Sequence, residues 1–299
     1  MRKQRLFLVT IDCDLRAESI KVRNESLCAL LESFSKTGLA GHATWFLNEN
    51  DFNMTENHKE FILDAAAAGD SIGVHDHVDR FKTLAQPALI PFFNKSRTKV
   101  AALLANNGKP ARVLCHRTGC LVQSREIYAA LKELGYKTVS DVFPGERGAT
   151  TDARPGFDNH LIPEGIRPYR HDEDDFLNYR TRLRIQNDEF KPYLGHFIQV
   201  PITHLYLDLD FNKLERWINI SETMEFSYPP RAGNSPTVLT WDFHPYEILD
   251  KTRRKVSKER ILKLNEQVKI LKKKYRVEFV NLEECVARFK GILFEEEWK

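Results

Sequence analysis

The chain has 299 residues, of which 42% are hydrophobic and 29% are charged, and its formal net charge is +3 at pH 7. This length suffices for one large α/β domain with a well-buried core, and the composition is that of an ordinary globular protein. The small positive excess argues against a nucleic-acid partner, for which a concentrated basic surface is typical. The densest basic run, 251–274, alternates with Leu and Ile and predicts the solvated face of a helix.

The cysteines and the N-terminus bear on the compartment. The number of cysteines, five, is odd, and their spacing matches neither a disulfide framework nor a structural zinc motif. Reduced thiols are typical of a reducing compartment. The first residues contain no apolar signal region, and no apolar run is long enough to cross a bilayer. The sequence therefore predicts a cytoplasmic protein without an integral membrane segment, and it leaves the oligomeric state open.

Short apolar runs alternate with amphipathic segments through the first half of the chain. The run 6–12 predicts a buried strand, and Asn24 can cap a following helix whose apolar residues recur at i, i+3, i+4 and i+7 until Gly38. The same alternation then predicts further helices and four more strands, at 42–47, 71–75, 111–116 and 136–141.

The alternation stops at about 144–195, a segment rich in Arg, Asp, Pro and Gly. It predicts an irregular insertion in a single domain that spans 1–299. Further strands are predicted at 197–200, 237–243 and 277–280, with a long helix at 257–274. Alternating strands and helices imply a mainly parallel sheet. About seven parallel strands fit an incomplete, distorted (β/α) barrel, in which active-site residues lie at the carboxyl ends of the strands.

Polar residues do follow the predicted strands. Asp12 and Asp14 end the first strand, and alternation places both carboxylates on one side. Two carboxylates at a buried strand end are unfavourable unless a cation or hydrogen bonds neutralise them. One solvated aspartate beside a helix cap is the ordinary alternative, and the metal-binding Asp-x-Asp of a glycosyltransferase is a second. The position of the pair, before any nucleotide-binding βα units, argues against the second.

The third strand ends in His75, His77 and Asp79, residue types that bind zinc and other transition metals. His75 and His77 share a side if the strand continues, whereas His75 and Asp79 share a face if a helical turn begins at His75. The sequence leaves these two ligand sets open. A polar turn with incidental histidines is the non-functional alternative.

Two later strands end in Arg117 and His244. A buried arginine at a barrel strand end needs a carboxylate partner, although a surface arginine is the simpler alternative. Pro245 directs the chain out of the strand immediately after His244. Because alternation places His244 on the side of Asp242, a core histidine bonded to Asp242 is the alternative to a catalytic one.

These strand ends, in this order, resemble the motifs of the polysaccharide deacetylase family, also known as carbohydrate esterase family 4, whose fold is the NodB-homology domain. The resemblance extends from about residue 6 to residue 289 and rests on Asp12, Asp14, His75, Arg117 and His244. One residue separates the aspartates of the first motif. Asp79 stands where the family has its second metal-binding histidine, unless His77 supplies that ligand, and the family's prolines are absent around Arg117.

The resemblance implies a hydrolase that removes an N-acyl group, in the first instance acetyl, from an amino sugar. It implies a divalent metal cofactor, in the first instance zinc, with the ligands Asp14, His75 and Asp79, or His77 in place of Asp79. In this scheme Asp12 is the general base, Arg117 keeps it ionised, and His244 protonates the leaving amine.

The expected cytoplasmic location favours a carbohydrate substrate that is linked to a nucleotide or lipid carrier in surface-polysaccharide synthesis. The arginines of the insertion could contact a carrier phosphate or be solvated; they are Arg147, Arg154, Arg167, Arg170, Arg180, Arg182 and Arg184. Alternatives on the same fold are a sugar-binding protein without catalysis and a metal-free hydrolase of cyclic amides. A glycosidase that uses Asp12 and Asp242 and a glycosyltransferase are less favoured.

Overall fold

Parallel strands and the helices between them make up most of the structure. The computed structural model describes residues 5–15, 19–79, 81, 85–108, 113–146, 157–162, 168–174, 176, 183–186, 189–192, 195–207, 215–216, 218–219 and 236–293. The strands are β1 (Arg5–Asp12), β2 (Ala43–Leu47), β3 (Ser71–Asp76), β4 (Cys115–Thr118), β5 (Thr138–Val139), β6 (Tyr169–His171), β7 (Leu183–Gln186), β8 (Glu189–Pro192), β9 (Phe197–Gln199), β10 (His204–Leu205), β11 (Thr237–Phe243) and β12 (Glu278–Phe279).

The helices fall between these strands and at the end of the chain. They are α1 (Ile20–Thr37), α2 (Glu49–Phe52), α3 (Met54–Asn57), α4 (Lys59–Ala68), α5 (Gln86–Ala105), α6 (Arg125–Glu133), α7 (Lys258–Ile270) and α8 (Leu282–Leu293). Short helical turns at Gly119–Leu121 and Pro245–Ile248 follow β4 and β11. In the described part of the chain, no helix combines the length and the apolar character that crossing a membrane requires.

Ten strands form one sheet in the order β10-β11-β1-β2-β3-β4-β5-β9-β6, and β12 pairs with the beginning of β1. Of these ten strands only β6 is antiparallel to its neighbour, so nine run parallel. Among the described residues no pairing joins the edge strands β10 and β6, and the sheet is a barrel that does not close. The predicted incomplete barrel is confirmed, and the strands of this sheet that the sequence did not predict are the short edge strands β6 and β10.

The predicted insertion at about 144–195 contributes regular structure. Its described residues include the edge strand β6 and the separate antiparallel hairpin β7–β8. Arg170 lies in β6 and Arg184 in β7. The remaining arginines of the insertion lie outside the described residues: Arg147, Arg154, Arg167, Arg180 and Arg182. The assignment of 1–299 to a single domain stays a prediction.

The first helix begins earlier than the sequence predicted. The N-cap of α1 is Ser19, whose side chain accepts a hydrogen bond from the Val22 N–H, and it therefore replaces Asn24 in that role. Asn24 lies inside the helix, where its Oδ1 contacts His58 Nδ1. The predicted end of the helix at Gly38 is confirmed by a left-handed φ of 67°.

The apolar core lies between the outer face of the sheet and the helices. Trp45 of β2 packs edge to face on Phe61 of α4, with ring centroids 4.8 Å apart, and against Phe34 of α1. Trp45 also donates from Nε1 to Asp70 Oδ2 at 2.8 Å, so its polar atom is satisfied inside the core. This packing fixes β2 and its neighbours, whose carboxyl ends bear the polar residues.

Candidate active site

The inner face of the open barrel changes from apolar to polar toward the carboxyl ends of its strands. Leu6 and Leu8 of β1 belong to an apolar cluster with Val238 of β11. Further along β1, alternation brings Thr10 and Asp12 to that same face. The polar layer therefore lies at the end of the barrel where active sites are found.

The guanidinium of Arg117 is fully buried and joins the ends of neighbouring strands. Its Nη1 donates to Asp12 Oδ1 at 2.8 Å and also to Asp242 Oδ1. Its Nη2 donates to Ser140 Oγ at 2.8 Å and to Thr10 Oγ1 at 3.1 Å. Its Nε donates to the Ser140 carbonyl at 2.6 Å. Every nitrogen of the guanidinium is thus hydrogen-bonded. Sequence analysis predicted one carboxylate partner for Arg117, and the structure shows two, Asp12 and Asp242.

The two carboxylates beside Arg117 differ in pKa. Burial alone would raise the pKa of Asp12, but the Arg117 guanidinium, with His75 and His244, lowers it below its usual value. Burial raises the pKa of Asp242 to about 7, and Arg117 offsets only part of this effect. Asp12 is therefore ionised at neutral pH and can accept a proton, whereas Asp242 serves to anchor the guanidinium.

Three potential metal ligands converge beside Asp12. His77 Nε2 lies 2.7 Å from Asp14 Oδ2, and His75 Nε2 lies 3.5 Å from the same oxygen. Donor atoms of Asp14, His75 and His77 all lie within 4.8 Å of one another. Because β3 continues to Asp76 without a helical turn at His75, the two histidines share a side as strand alternation requires.

Asp79 lies on the other side of the His77 ring. Its Oδ1 is 2.9 Å from His77 Nδ1. Asp79 belongs with His77 and Cys120 to a second group of donor atoms, which shares only His77 with the group Asp14, His75 and His77. On the opposite flank, Asn48 Nδ2 donates to Asp14 Oδ1 at 2.8 Å, which leaves Asp14 Oδ2 facing the imidazoles. Carboxylates and amides in such positions orient metal ligands.

This donor set fits a divalent transition metal. Two imidazole nitrogens and one carboxylate oxygen are ligands that zinc accepts in catalytic sites, where a further position stays open. The side chains of His77 and Asp14 are 22% and 15% exposed, so their convergent atoms are within reach of solvent. His75 is buried, and its Nδ1 has no hydrogen-bond partner among the described residues. This Nδ1 lies 3.9 Å from Asp12 Oδ2, and His75 Nε2 is the nitrogen on the side of Asp14.

His244 directly follows β11 and lies next to these ligands, with its Nε2 3.9 Å from Asp14 Oδ2. Its Nδ1 lies 3.0 Å from Glu247 Oε1, which also accepts from the His244 backbone N–H at 2.9 Å. Burial would lower the pKa of His244, but the bond to Glu247 and the charges of Asp12 and Asp242 raise it. The carboxylate bonded to the ring is therefore Glu247, and Asp242 is engaged with Arg117.

Gly119 and Cys120 form the wall against which His77 rests. A Cβ at position 119 would come within 2.4 Å of the His77 ring, so only glycine allows the ring this position. The exposed Cys120 follows with a left-handed φ of 53°, and its Sγ lies 4.0 Å from His77 Nδ1. The turn after β4 therefore restricts the orientation of the His77 ring.

Sequence reasoning did not identify several residues that hold this site: Thr10, Asn48, Ser140 and Glu247. Asn48 directly follows β2, so the search for polar residues after strands could have found it. Glu247 is the third residue after His244 in a helical turn that begins there. That spacing is the signature of a capping box. Thr10 and Ser140 carry no such signal, since hydroxyl side chains are common in strands.

Comparison with known proteins shows the fold. No protein-family profile matches the chain, and no curated protein has a similar sequence. Among solved structures, Puue allantoinase matches with a TM-score of 0.61 at 12% identity, over 96% of this chain and 90% of its own. A protein described as a polysaccharide deacetylase from Mycobacterium smegmatis matches with a TM-score of 0.57 at 12% identity, over 99% of this chain and 94% of its own.

The 4-alpha-glucanotransferase of Thermococcus litoralis also matches, with a TM-score of 0.52 at 14% identity, over 96% of this chain and 41% of its own. At these identities the similarity establishes a common fold. The fold implied by the sequence motifs, that of a polysaccharide deacetylase, is thereby confirmed.

Proposed function

We propose that this protein is a divalent-metal-dependent amide hydrolase that removes an N-acyl group, in the first instance acetyl, from an amino sugar. The observation that carries the proposal is the group Asp14, His75 and His77 beside an ionised Asp12. The fold that the chain shares with a polysaccharide deacetylase and an allantoinase supports it.

Asp14, His75 and His77 would hold the metal, with zinc as the first expectation from the donor set. A divalent cation there would supply Lewis acidity, which polarises an amide carbonyl and makes water a better nucleophile at neutral pH. Asp79 would orient the His77 ring from its Nδ1 side, because its Oδ1 is bonded to His77 Nδ1 and it lies outside the group Asp14, His75 and His77.

The chain's own residues supply the proton transfers. Asp12 Oδ1 is bonded to Arg117, so Asp12 Oδ2 is the oxygen that takes the proton of the attacking water. Glu247 holds His244 Nδ1, which leaves His244 Nε2 to deliver a proton to the departing nitrogen. An amide nitrogen leaves poorly without that proton, so the raised pKa of His244 suits this role.

A glycosidase is disfavoured by the surroundings of Asp242. Two carboxylates must flank the scissile bond in such enzymes. Asp242 Oδ1 and Asp12 Oδ1 accept from the same Arg117 nitrogen, so the two carboxylates lie side by side and not on opposite sides of a substrate bond. A carrier-linked substrate and a cytoplasmic location stay predictions from the sequence.

The activity is tested by measuring acid release from a panel of N-acetylated amino sugars, with allantoin as the cyclic-amide alternative. We expect acetate release that stops after treatment with a chelator and returns with zinc, cobalt or manganese. Hydrolysis of allantoin alone would favour the cyclic-amide alternative. Chelator-resistant turnover would overturn the metal dependence.

Replacing His77 and Asp79 in separate variants should distinguish the roles of these two candidates for the third metal ligand. His77→Ala removes a donor atom of the cluster, and we expect it to abolish metal binding at micromolar zinc. Asp79→Asn removes only the partner of the His77 ring, and we expect affinity to fall by about 10- to 100-fold. Titration with a competing chromophoric chelator measures both affinities. Greater loss in Asp79→Asn than in His77→Ala would reverse the assignment.

Replacing Glu247 should change the pH dependence. The protonated form of His244 is the proton donor, and the bond to Glu247 is one of the contributions that raise its pKa. In Glu247→Gln that contribution is lost, so we expect the alkaline limb of the kcat profile to move to lower pH. Asp12, Asp14 and Asp242 also face the ring and remain in both proteins. An unmoved alkaline limb would contradict the role of Glu247.

A further inference from the structure

Tyr206 presents an exposed aromatic ring beside His244. Its side chain is 57% exposed, in contrast to Tyr246 at 9%. The rings of Tyr206 and His244 lie at 24° with centroids 6.3 Å apart, and those of Tyr246 and His244 at 25° with centroids 4.8 Å apart. His244 therefore lies nearly parallel to two tyrosine rings, and one of these remains open to a ligand.

The backbone holds Tyr206 in an unfavourable conformation. Its φ of 72° lies in the left-handed region, which costs a bulky side chain about 1–3 kcal/mol. Trp241 Nε1 donates to the Tyr206 carbonyl at 2.9 Å, and the Leu207 N–H donates to Glu247 Oε2 at 2.6 Å. The surrounding structure thus fixes the strained residue from both sides, a pattern that is found at ligand sites.

One carboxylate aligns the tyrosine with the proton donor. Glu247 Oε1 accepts from His244, while Glu247 Oε2 accepts from Leu207, the residue directly after Tyr206. The exposed ring and His244 therefore keep a fixed relation to each other. Because the centroids of the two rings lie 6.3 Å apart, one small ligand can contact both Tyr206 and His244.

We propose that Tyr206 is a substrate-binding residue on which the apolar face of a pyranose ring stacks, so that the N-acyl group of that sugar reaches the Asp14, His75 and His77 cluster. This rests on the proposed function and adds a residue that binds the sugar. An aromatic ring provides a rigid apolar surface at little cost in conformational entropy. Ligand sites combine such surfaces with a few placed polar groups, which are here His244 and Asp12.

Binding without turnover gives the direct test. In an Asp12→Asn background, titration calorimetry with zinc and N-acetylglucosamine measures the Kd before and after Tyr206→Ala. We expect the Kd to rise about tenfold in the double variant. Tyr206→Phe keeps the ring and should bind like the parent, whereas Tyr206→Leu should resemble Tyr206→Ala. An unchanged Kd in Tyr206→Ala would overturn the proposal.

Steady-state kinetics of Tyr206→Ala in the protein that keeps Asp12 distinguishes a role in sugar binding from an effect on His244. Loss of a binding surface raises KM for the sugar and leaves kcat unchanged. It should also leave the KM for N-methylacetamide, an amide without a ring, unchanged. A lowered kcat with unaltered KM would assign Tyr206 to positioning His244 instead and overturn the proposal. Leu262→Ala, which removes another exposed apolar side chain on α7, serves as the matched control.

The two proposals fail in different ways. If no amide is hydrolysed by the wild-type protein, the proposed function fails, while sugar binding that depends on Tyr206 would still support the stacking site. If amino sugars are deacetylated with the same KM in Tyr206→Ala, the stacking site fails and the proposed function stands.

Discussion

Replacing Asp12 with asparagine is expected to lower kcat for deacetylation by about 10²- to 10⁴-fold, the range that a general base contributes. Asparagine keeps the shape of the side chain and can still accept from Arg117, but it cannot take the proton of water. Metal content should be retained, because the ligand group does not include Asp12. Steady-state kinetics combined with elemental analysis of the same preparation measures both effects.

Asp242→Asn is the matched control for that experiment. Asp242 accepts from the same guanidinium nitrogen, but it is buried beneath the site with a pKa of about 7. We therefore expect a fall in kcat of less than about tenfold. An Asp12→Asn variant that keeps more than a tenth of wild-type kcat would contradict the role of Asp12. Equal losses in the two variants would do the same.

Removing the guanidinium of Arg117 should damage both the fold and the chemistry. Arg117→Met leaves Asp12 and Asp242 buried without their cation, and breaking a buried ion pair in this way costs about 3–5 kcal/mol in the free energy of unfolding. The pKa of Asp12 should rise as well, because burial is no longer offset. The acid limb of the kcat/KM profile should then move to higher pH, since Asp12 must be ionised to act as a base.

Denaturant unfolding and a pH profile measure these two effects. Arg117→Lys keeps the charge but lacks the planar fork that reaches Asp12, Asp242 and Ser140 together. It should be intermediate in stability, and it provides the pH profile if Arg117→Met does not fold. An unfolding free energy within 1 kcal/mol of wild type in Arg117→Met would contradict the account of the buried network.

The strand-end residues could be read from the sequence because period-two alternation and parallel strands leave little choice of place. Asp12, Arg117 and His244 each end an apolar run, and parallel packing gathers such ends at one edge. The choice between His77 and Asp79 could not be made in the same way. It depends on whether the chain after His75 stays extended, and this is decided by long-range packing such as the contact of His77 with Gly119.

The residues that hold the catalytic side chains in place could not be predicted from the sequence for a related reason. Thr10 and Asp242 are neighbours only because β1 and β11 pair in one register, and they are more than 200 positions apart in sequence. The strained backbone of Tyr206 likewise follows from hydrogen bonds to Trp241 and Glu247. No local pattern in the sequence records such contacts.

Bound metal in the purified protein is the direct test of the proposed metal centre. Purified wild-type protein, Asp14→Ala, His77→Ala and Asp79→Asn would be incubated with one equivalent of zinc, desalted and analysed for metal. We expect about one equivalent in the wild type, partial retention in Asp79→Asn, and none in Asp14→Ala or His77→Ala. No zinc in the wild type, or full retention in His77→Ala, would contradict a metal centre built from Asp14, His75 and His77.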